Sequence, residues 1–523
     1  MWIFLITIGF AGGLYGQEKP VTLLRGLGNY HHSITASNPE AQKFFDQGLV
    51  MLYGFNRYEA LRSFQRAVEL DPKALMPRWG VAQSLSPHIN MDLDADVNAK
   101  KACEAARAAA NLPGPEHEKA YIEAALALCQ GEEAHRKALR SLYTRYPDDP
   151  DAATLFAESL MVPVRWRWWQ QGKPQGEMAE CIRVLEQILK RNPDHPGANH
   201  FYVHAIEMSP HPEYALPSAQ RLMGGVAPGA GHLVHMAGHI YLRMGDYEIV
   251  AASNERAIQV DEEYFHHTGV HGGYMGFYYA HNQHFLAYAR MMQGRFEQAE
   301  AAARKMVNAA KPFIEQAPGV MDQFVPTPWF VLLRFGKWDR MLAEPAPSNE
   351  KLPVTRAIWR YGRALALKGK GDLEKARAEQ SAFEKARAAV PADALWINNR
   401  AQALLDIAGL ILQARLANGD RAAIPHLRKA AALQDALVYD EPPPWYFPVR
   451  ESLGAALIRT GAHAEAERTL RHELDLAPRN GRALFLLGES LRAQKRMRAA
   501  ELVDVEFHRA WKHAQVKLAM ADF

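Results

Sequence analysis

The chain has 523 residues, 48% hydrophobic and 23% charged, which excludes a disordered tail and exceeds what one compact core holds. Its 61 Lys and Arg against 58 Asp and Glu leave a net charge of +3 with no long block of one sign, which argues against a dedicated nucleic-acid binder. Three cysteines, Cys103, Cys129 and Cys181, with no C-x-x-C among them, exclude a disulfide framework and a thiolate metal site.

Residues 1–16 carry an apolar stretch over 2–10 followed by small residues, and are predicted to be a signal peptide cut near Gly13 or Gly16. A basic start is missing, so an uncleaved N-terminal anchor is the alternative. The expected location is the periplasm or the cell exterior. No later stretch reaches the roughly 18 uninterrupted apolar residues of a membrane helix. Residues 17–37 form an N-terminal extension.

Repeats begin at residue 38. Over 38–72, Gly48, Ala60, Phe64, Ala67 and Pro72 fall where two antiparallel helices need small residues to approach, a ring to fill the gap and a stop. The cadence returns at Gly454, Ala466, Leu470 and Pro478, then at Gly488 and Ala500, and again at Gly238, Tyr241, Gly245 and Ala257. Gly294, Gly336 and Gly371 mark further helix–turn–helix joints. This spacing resembles the tetratricopeptide repeat of about 34 residues. The fold expected is all-α, a tetratricopeptide-type helical-repeat superhelix (an α-solenoid) with irregular insertions. Its parts are N-terminal repeats over 38–161, a Trp-rich insertion over 162–175, His-rich repeats over 176–300 with an insertion at 262–279, middle repeats over 301–439, and C-terminal repeats over 440–523. The insertions, and the proline-fixed segment 440–448, are expected to be packing or capping devices. Residues 165–169 offer a stacking surface for a base or sugar, but without a basic field around them buried tryptophans are the preferred reading.

Twelve of the 22 histidines lie between His195 and His284. In the repeat frame, His200 and His204, then His232, His235 and His239, then His281 and His284, sit at spacings of three and four that share one helix face. The resemblance implies that these positions face the concave groove. Neighbouring helices are about 8–10 Å apart, close enough to share an ion, and imidazole suits Cu, Zn and Fe. These seven are therefore the candidate ligands of a divalent transition metal. The alternative is an uncharged polar network gripping a peptide or small anion. Glu207, in phase with them, is the candidate catalytic proton shuttle or extra ligand, with a capping or salt-bridge role as its alternative. His195, His211, His266, His267 and His271 are expected in loops and away from the site. His31, His32, His88 and Asn90 are possible additions to the pocket, and Tyr274, Met275, Tyr278 and Tyr279 possible walls.

The motifs HHSITASNPEAQKFFDQGL, LYGFN, PGANHFYVHAIE, GHLVHM, HNQHFL and PPPWYFPVRESLG together resemble a group of exported bacterial tetratricopeptide proteins. Arg57 departs from that pattern, where a histidine is expected after LYGFN. The resemblance implies fold and export and adds no chemistry. The function expected is an exported repeat protein with a metal-binding, histidine-rich pocket for a small ligand, with catalysis left open. A peptide-binding scaffold and a metal storage or transfer protein are the alternatives.

Overall fold

In the computed structural model, residues 18–90 and 95–523 are described. The expected signal peptide lies outside them. The described chain is a succession of α-helices, each packed on the next: Pro39–Tyr53 on Arg57–Leu70, Ala280–Met292 on Phe296–Ala310, Pro353–Gly369 on Leu373–Ala388, Gly481–Ala493 on Met497–Ala510. The joints are only a few residues long, which makes neighbours antiparallel. The strands among the described residues are two minimal hairpins, Trp169–Gln170 with Lys173–Pro174 and Leu395–Trp396 with Asn399–Arg400. The fold is the expected tetratricopeptide-type α-solenoid.

Local sequence explains the repeat unit. The Asn38 side chain accepts from Glu40 N–H and Pro39 occupies the first turn, where a missing N–H costs nothing. Arg57–Leu70 starts the same way on Asn56. Between the two helices, a Cβ on Gly48 would lie 2.6 Å from the Phe64 ring, and one on Gly80 in the following helix 2.4 Å from the same ring. Phe64 is thus a wedge shared by three helices, and only glycine lets them close on it. Gly454 repeats the device against Leu470, where a Cβ would lie 2.7 Å away.

The insertions differ from expectation in extent. Residues 262–268 are not irregular; they complete the long helix Tyr247–Thr268, which Gly269 ends at φ 70°. His266 and His267 therefore sit in a helical last turn rather than a loop, and His195 is an N-cap. Only 269–272 is irregular before a helical turn at 273–274 and a π-turn at Met275–Tyr279 lead into Ala280–Met292. In the Trp-rich insertion Trp168 is buried, with its indole N–H on Met161 O, while Trp166 and Trp169 are half-buried. Cys103 and Cys129 form one disulfide, a single staple of two neighbouring helical segments.

The array also closes on itself. The Gly245 turn packs against Pro478, Gln515 N–H donates to Gly294 O at 2.9 Å, and Arg479 pairs with Asp246. The N-terminal extension crosses the other way, with Lys19 N–H on Thr268 O at 2.8 Å and Gly229 N–H on Gly26 O at 2.6 Å. No described helix is long and apolar enough to cross a membrane.

Candidate metal centre

Four helices bring the central histidines together. Pro196–Glu207 is started by His195, whose Nδ1 accepts from Ala198 N–H at 3.1 Å, and by Pro196. His200 and His204 stand one turn apart on its buried face, with Glu207 one step further. Gly231–His235 and Ala237–Arg243 carry His232, His235 and His239. Ala280–Met292 carries His281 and His284.

The rings form a continuous array. Centroids lie 4.9 Å apart for His200 and His204, 5.0 Å for His200 and His232, 5.4 Å for His232 and His235, 4.8 Å for His235 and His239, and 4.9 Å for His235 and His281. Within it, His200, His204 and His232 each offer a ligand atom within 4.8 Å of the others', as do His235, His239 and His281. A third such grouping is His204, Glu207 and His239. These groups can hold a metal ion.

Second partners fix the rings. His200 Nδ1 meets Tyr53 O at 2.5 Å, His204 Nδ1 meets Glu207 Oε1 at 3.0 Å, and His235 Nδ1 meets Asn254 Oδ1 at 2.7 Å. His239 Nδ1 meets Glu207 Oε2 at 2.5 Å and also pairs with Glu441. The acceptor oxygen holds the proton on Nδ1, which leaves Nε2 of His200 and His204 as a free lone pair, the arrangement seen around metal-ligating histidines, whereas Nε2 of His235 and Nε2 of His239 share a hydrogen bond at 2.9 Å. His200 Nε2, His204 Nε2 and both nitrogens of His232 are buried with no hydrogen-bond partner. A buried polar atom without a partner costs about 1–3 kcal/mol, so three such rings facing one another call for an occupant.

Burial sets the charge state of the rings. Burial pushes His200, His204, His232, His235 and His281 well below the ordinary imidazole pKa, which keeps them neutral and able to coordinate. His239 is the exception: burial pulls it down, but Glu441 and Glu207 outweigh burial and lift it to about 10. Its positive charge answers two buried carboxylates, a demand that a metal dication at Nε2 also meets.

Aromatic rings wall the array. Phe55, in the left-handed region at φ 56°, sets its ring 4.4 Å from His200 and 5.3 Å from His232. That conformation is uncommon for a bulky residue and marks a constrained position. Tyr278 lies 4.8 Å from His232, and Asn90 Nδ2 donates to its hydroxyl at 3.1 Å. Beyond these rings opens a cavity of about 2260 Å³, reached by His204, His232, His239 and His281.

The expected site residues divide into three sets. His200, His204, His232, His235, His239 and His281 come together, and His88 and Asn90 line the same cavity. His284 turns away to the Tyr446 hydroxyl, which also meets Thr327 at 3.2 Å. His31 and His32 do not reach the chamber: His31 pairs with Asp46 at 2.8 Å and His32 with Asp151 at 2.6 Å, because the extension that carries them is pinned across the first helices. Tyr30, Tyr53 and His195 surround the same Asp151. Glu207 sits fully buried behind His204 and His239 with one carboxylate oxygen on each ring, which positions both, and with them it offers a candidate set of ligand atoms. Arg57 brings no free cation: its guanidinium donates to Gln83 O, Ser84 O and Ser86 O, closing the end of Leu75–Ser84. Glu441 was missed. It belongs to 440–448, which is no mere approach to a helix but reaches the chamber with Glu441 and His284 with Tyr446. Nothing local in DEPPPWYFP signals an imidazole partner some 200 positions earlier.

No protein-family model matches the sequence, and no curated protein does. Among solved structures, the chain is similar to a human IFIT1 dimer with m7Gppp-AAAA, at 14% identity, covering 92% of each chain with a TM-score of 0.35. It is also similar to yeast Tom70, at 11% identity over 89% of this chain and 96% of that one, with a TM-score of 0.32. A third is the APC/C hetero-tetramer Cut9-Hcn1, at 14% identity over 89% and 82%, with a TM-score of 0.33. At such values the likeness says nothing of ligand or partner, and the fold rests on the helix pairs themselves.

Proposed function

We propose that this is an exported helical-repeat protein whose concave chamber binds a transition metal, with copper, zinc or iron as the candidate ions. The observation that carries the reading is the set of partnerless buried nitrogens on His200, His204 and His232, beside rings whose other nitrogen is already held. Three imidazoles leave a tetrahedral ion one open position, and His204 and His232 reach the cavity, so a ligand entering there meets the metal. Export is supported by the hydrophobic start of the sequence and by the Cys103 and Cys129 disulfide, which persists in oxidising compartments. The cavity exceeds the roughly 300–1,000 Å³ of ordinary small-molecule sites. That size favours a second reading, a peptide segment laid along the groove with the metal at one end.

The test is metal content. Untagged mature protein, equilibrated with Zn(II) or Cu(II) and freed of excess, should retain at least one ion per chain, and in His200→Ala/His232→Ala the affinity of the His200, His204 and His232 group should fall by orders of magnitude while the helical circular dichroism is kept. Wild-type protein that holds no ion at neutral pH rejects the metal reading and leaves the peptide groove.

A further inference from the structure

We infer that the chamber is built for two transition-metal ions side by side, one on His200, His204 and His232 and one on His235, His239 and His281, sharing an oxygen-donor ligand supplied from the cavity. This rests on the metal-binding reading above and goes beyond it in number, placement and ligand class.

Four features require the pair rather than a single ion. First, the two triads have no residue in common, and each already has three ligand atoms within 4.8 Å of one another. One ion needs one such set. Second, the triads adjoin, with His204 and His239 ring centroids 5.2 Å apart and His232 and His235 5.4 Å apart. Third, one carboxylate serves both. Glu207 Oε1 holds His204 Nδ1 at 3.0 Å while Glu207 Oε2 holds His239 Nδ1 at 2.5 Å, so a single fully buried side chain orients one ligand of each triad. His200 on Tyr53 O and His235 on Asn254 Oδ1 are held in the same manner, so the preparation extends across both triads. A structure built for one ion would have no reason to prepare the second set.

Fourth, both triads open on one space. His204 and His232 from the first and His239 and His281 from the second line the same cavity, while His200 and His235 stand behind. A water, hydroxide, carboxylate or dioxygen molecule entering from that side meets both ions at once, as bridging ligands do in two-metal sites about 3.5–4 Å wide. The ligand set is wholly imidazole, which selects copper or zinc over magnesium, calcium or manganese. The carboxyl groups beside the triads are Glu207 and Glu441, with Arg243 donating to the Glu207 main-chain carbonyl at the outer side.

The experiment is a Cu(II) titration of chelator-treated, untagged mature chain, read by elemental analysis and electron paramagnetic resonance. Two ions per chain are expected, with a spin signal well below that of two isolated Cu(II) ions because a shared ligand couples them. His200→Ala/His232→Ala and His235→Ala/His281→Ala should each retain one ion and show the full signal of one isolated Cu(II). If either variant is unfolded by circular dichroism, the wild-type stoichiometry and spin count decide alone. Saturation at one ion overturns the pair and leaves the single-metal reading standing. Two ions with the full uncoupled signal overturn the shared centre. No bound ion removes both readings.

Discussion

At the residue scale, burial decides what each histidine is. Five imidazoles of the chamber are kept neutral by burial, whereas the half-buried His32 is charged: burial lowers its pKa, but Asp151 outweighs burial and raises it to about 9. Folding therefore favours the protonated ring. The stability it lends is whole below the unfolded pKa of about 6.5 and is lost as pH rises through 9. Thermal unfolding followed from pH 6 to pH 10 should show a fall in Tm between 7 and 9.5 that is flattened in His32→Gln. Glu207 acts on the chamber from behind. Glu207→Gln should keep the fold and weaken metal affinity about 10–100-fold, the usual cost of losing an outer partner of a ligand, as measured by competition with a chromogenic chelator. Unchanged affinity would remove Glu207 from the site.

At the scale of the helix pair, small residues set distance and rings set fit. Gly48 and Gly80 both abut Phe64, so overpacking at one joint strains three helices. Gly48→Val should cost about 1–3 kcal/mol in denaturant unfolding, and the loss should fall on the first repeats because neighbours carry the stability of a solenoid. Hydrogen exchange localises it: faster exchange in Pro39–Tyr53 and Leu75–Ser84, with Gly481–Ala493 unchanged, is the expected pattern. The Cys103 and Cys129 bond closes a segment with a sequence separation of 26. Cys103→Ser/Cys129→Ser should destabilise the same N-terminal region by about 3 kcal/mol, read by the same exchange experiment.

At the scale of the whole molecule, closure of the array is what completes the chamber. Residues 440–448 deliver Glu441 to His239 from the far side of the groove, and the C-terminal repeats are anchored on the Gly245 and Gly294 turns. Gly245 sits at φ 71°, and a Cβ there would lie 1.9 Å from Pro478 O. Gly245→Val should therefore loosen the C-terminal repeats from the middle ones. Limited proteolysis should then cut near Pro478 in the variant and spare the wild type, with the His-bearing helices still protected.

The sequence by itself determined the helical-repeat architecture and the joints at Gly245, Gly294, Gly336 and Gly371, and it put forward seven phased histidines, of which the fold brings six together. All of these depend on periodicity, and helical spacing of three, four and about thirty-four residues is a local property of the chain. The π-turn after 269–272 and the helical reach of 262–268 escaped because glycine, tyrosine and histidine carry no strong helical pattern of their own; packing against Ala280–Met292 decided them. Only the tertiary structure placed His32 on Asp151 instead of in the chamber, turned His284 to Tyr446, and brought Glu441 beside His239. Those pairings join positions from about 120 to about 200 apart, and nothing in a local spacing encodes which distant carboxylate or hydroxyl a buried ring will meet. The closure of the superhelix decides it, because only when the ends fold back over the groove do those groups lose water and have to find each other.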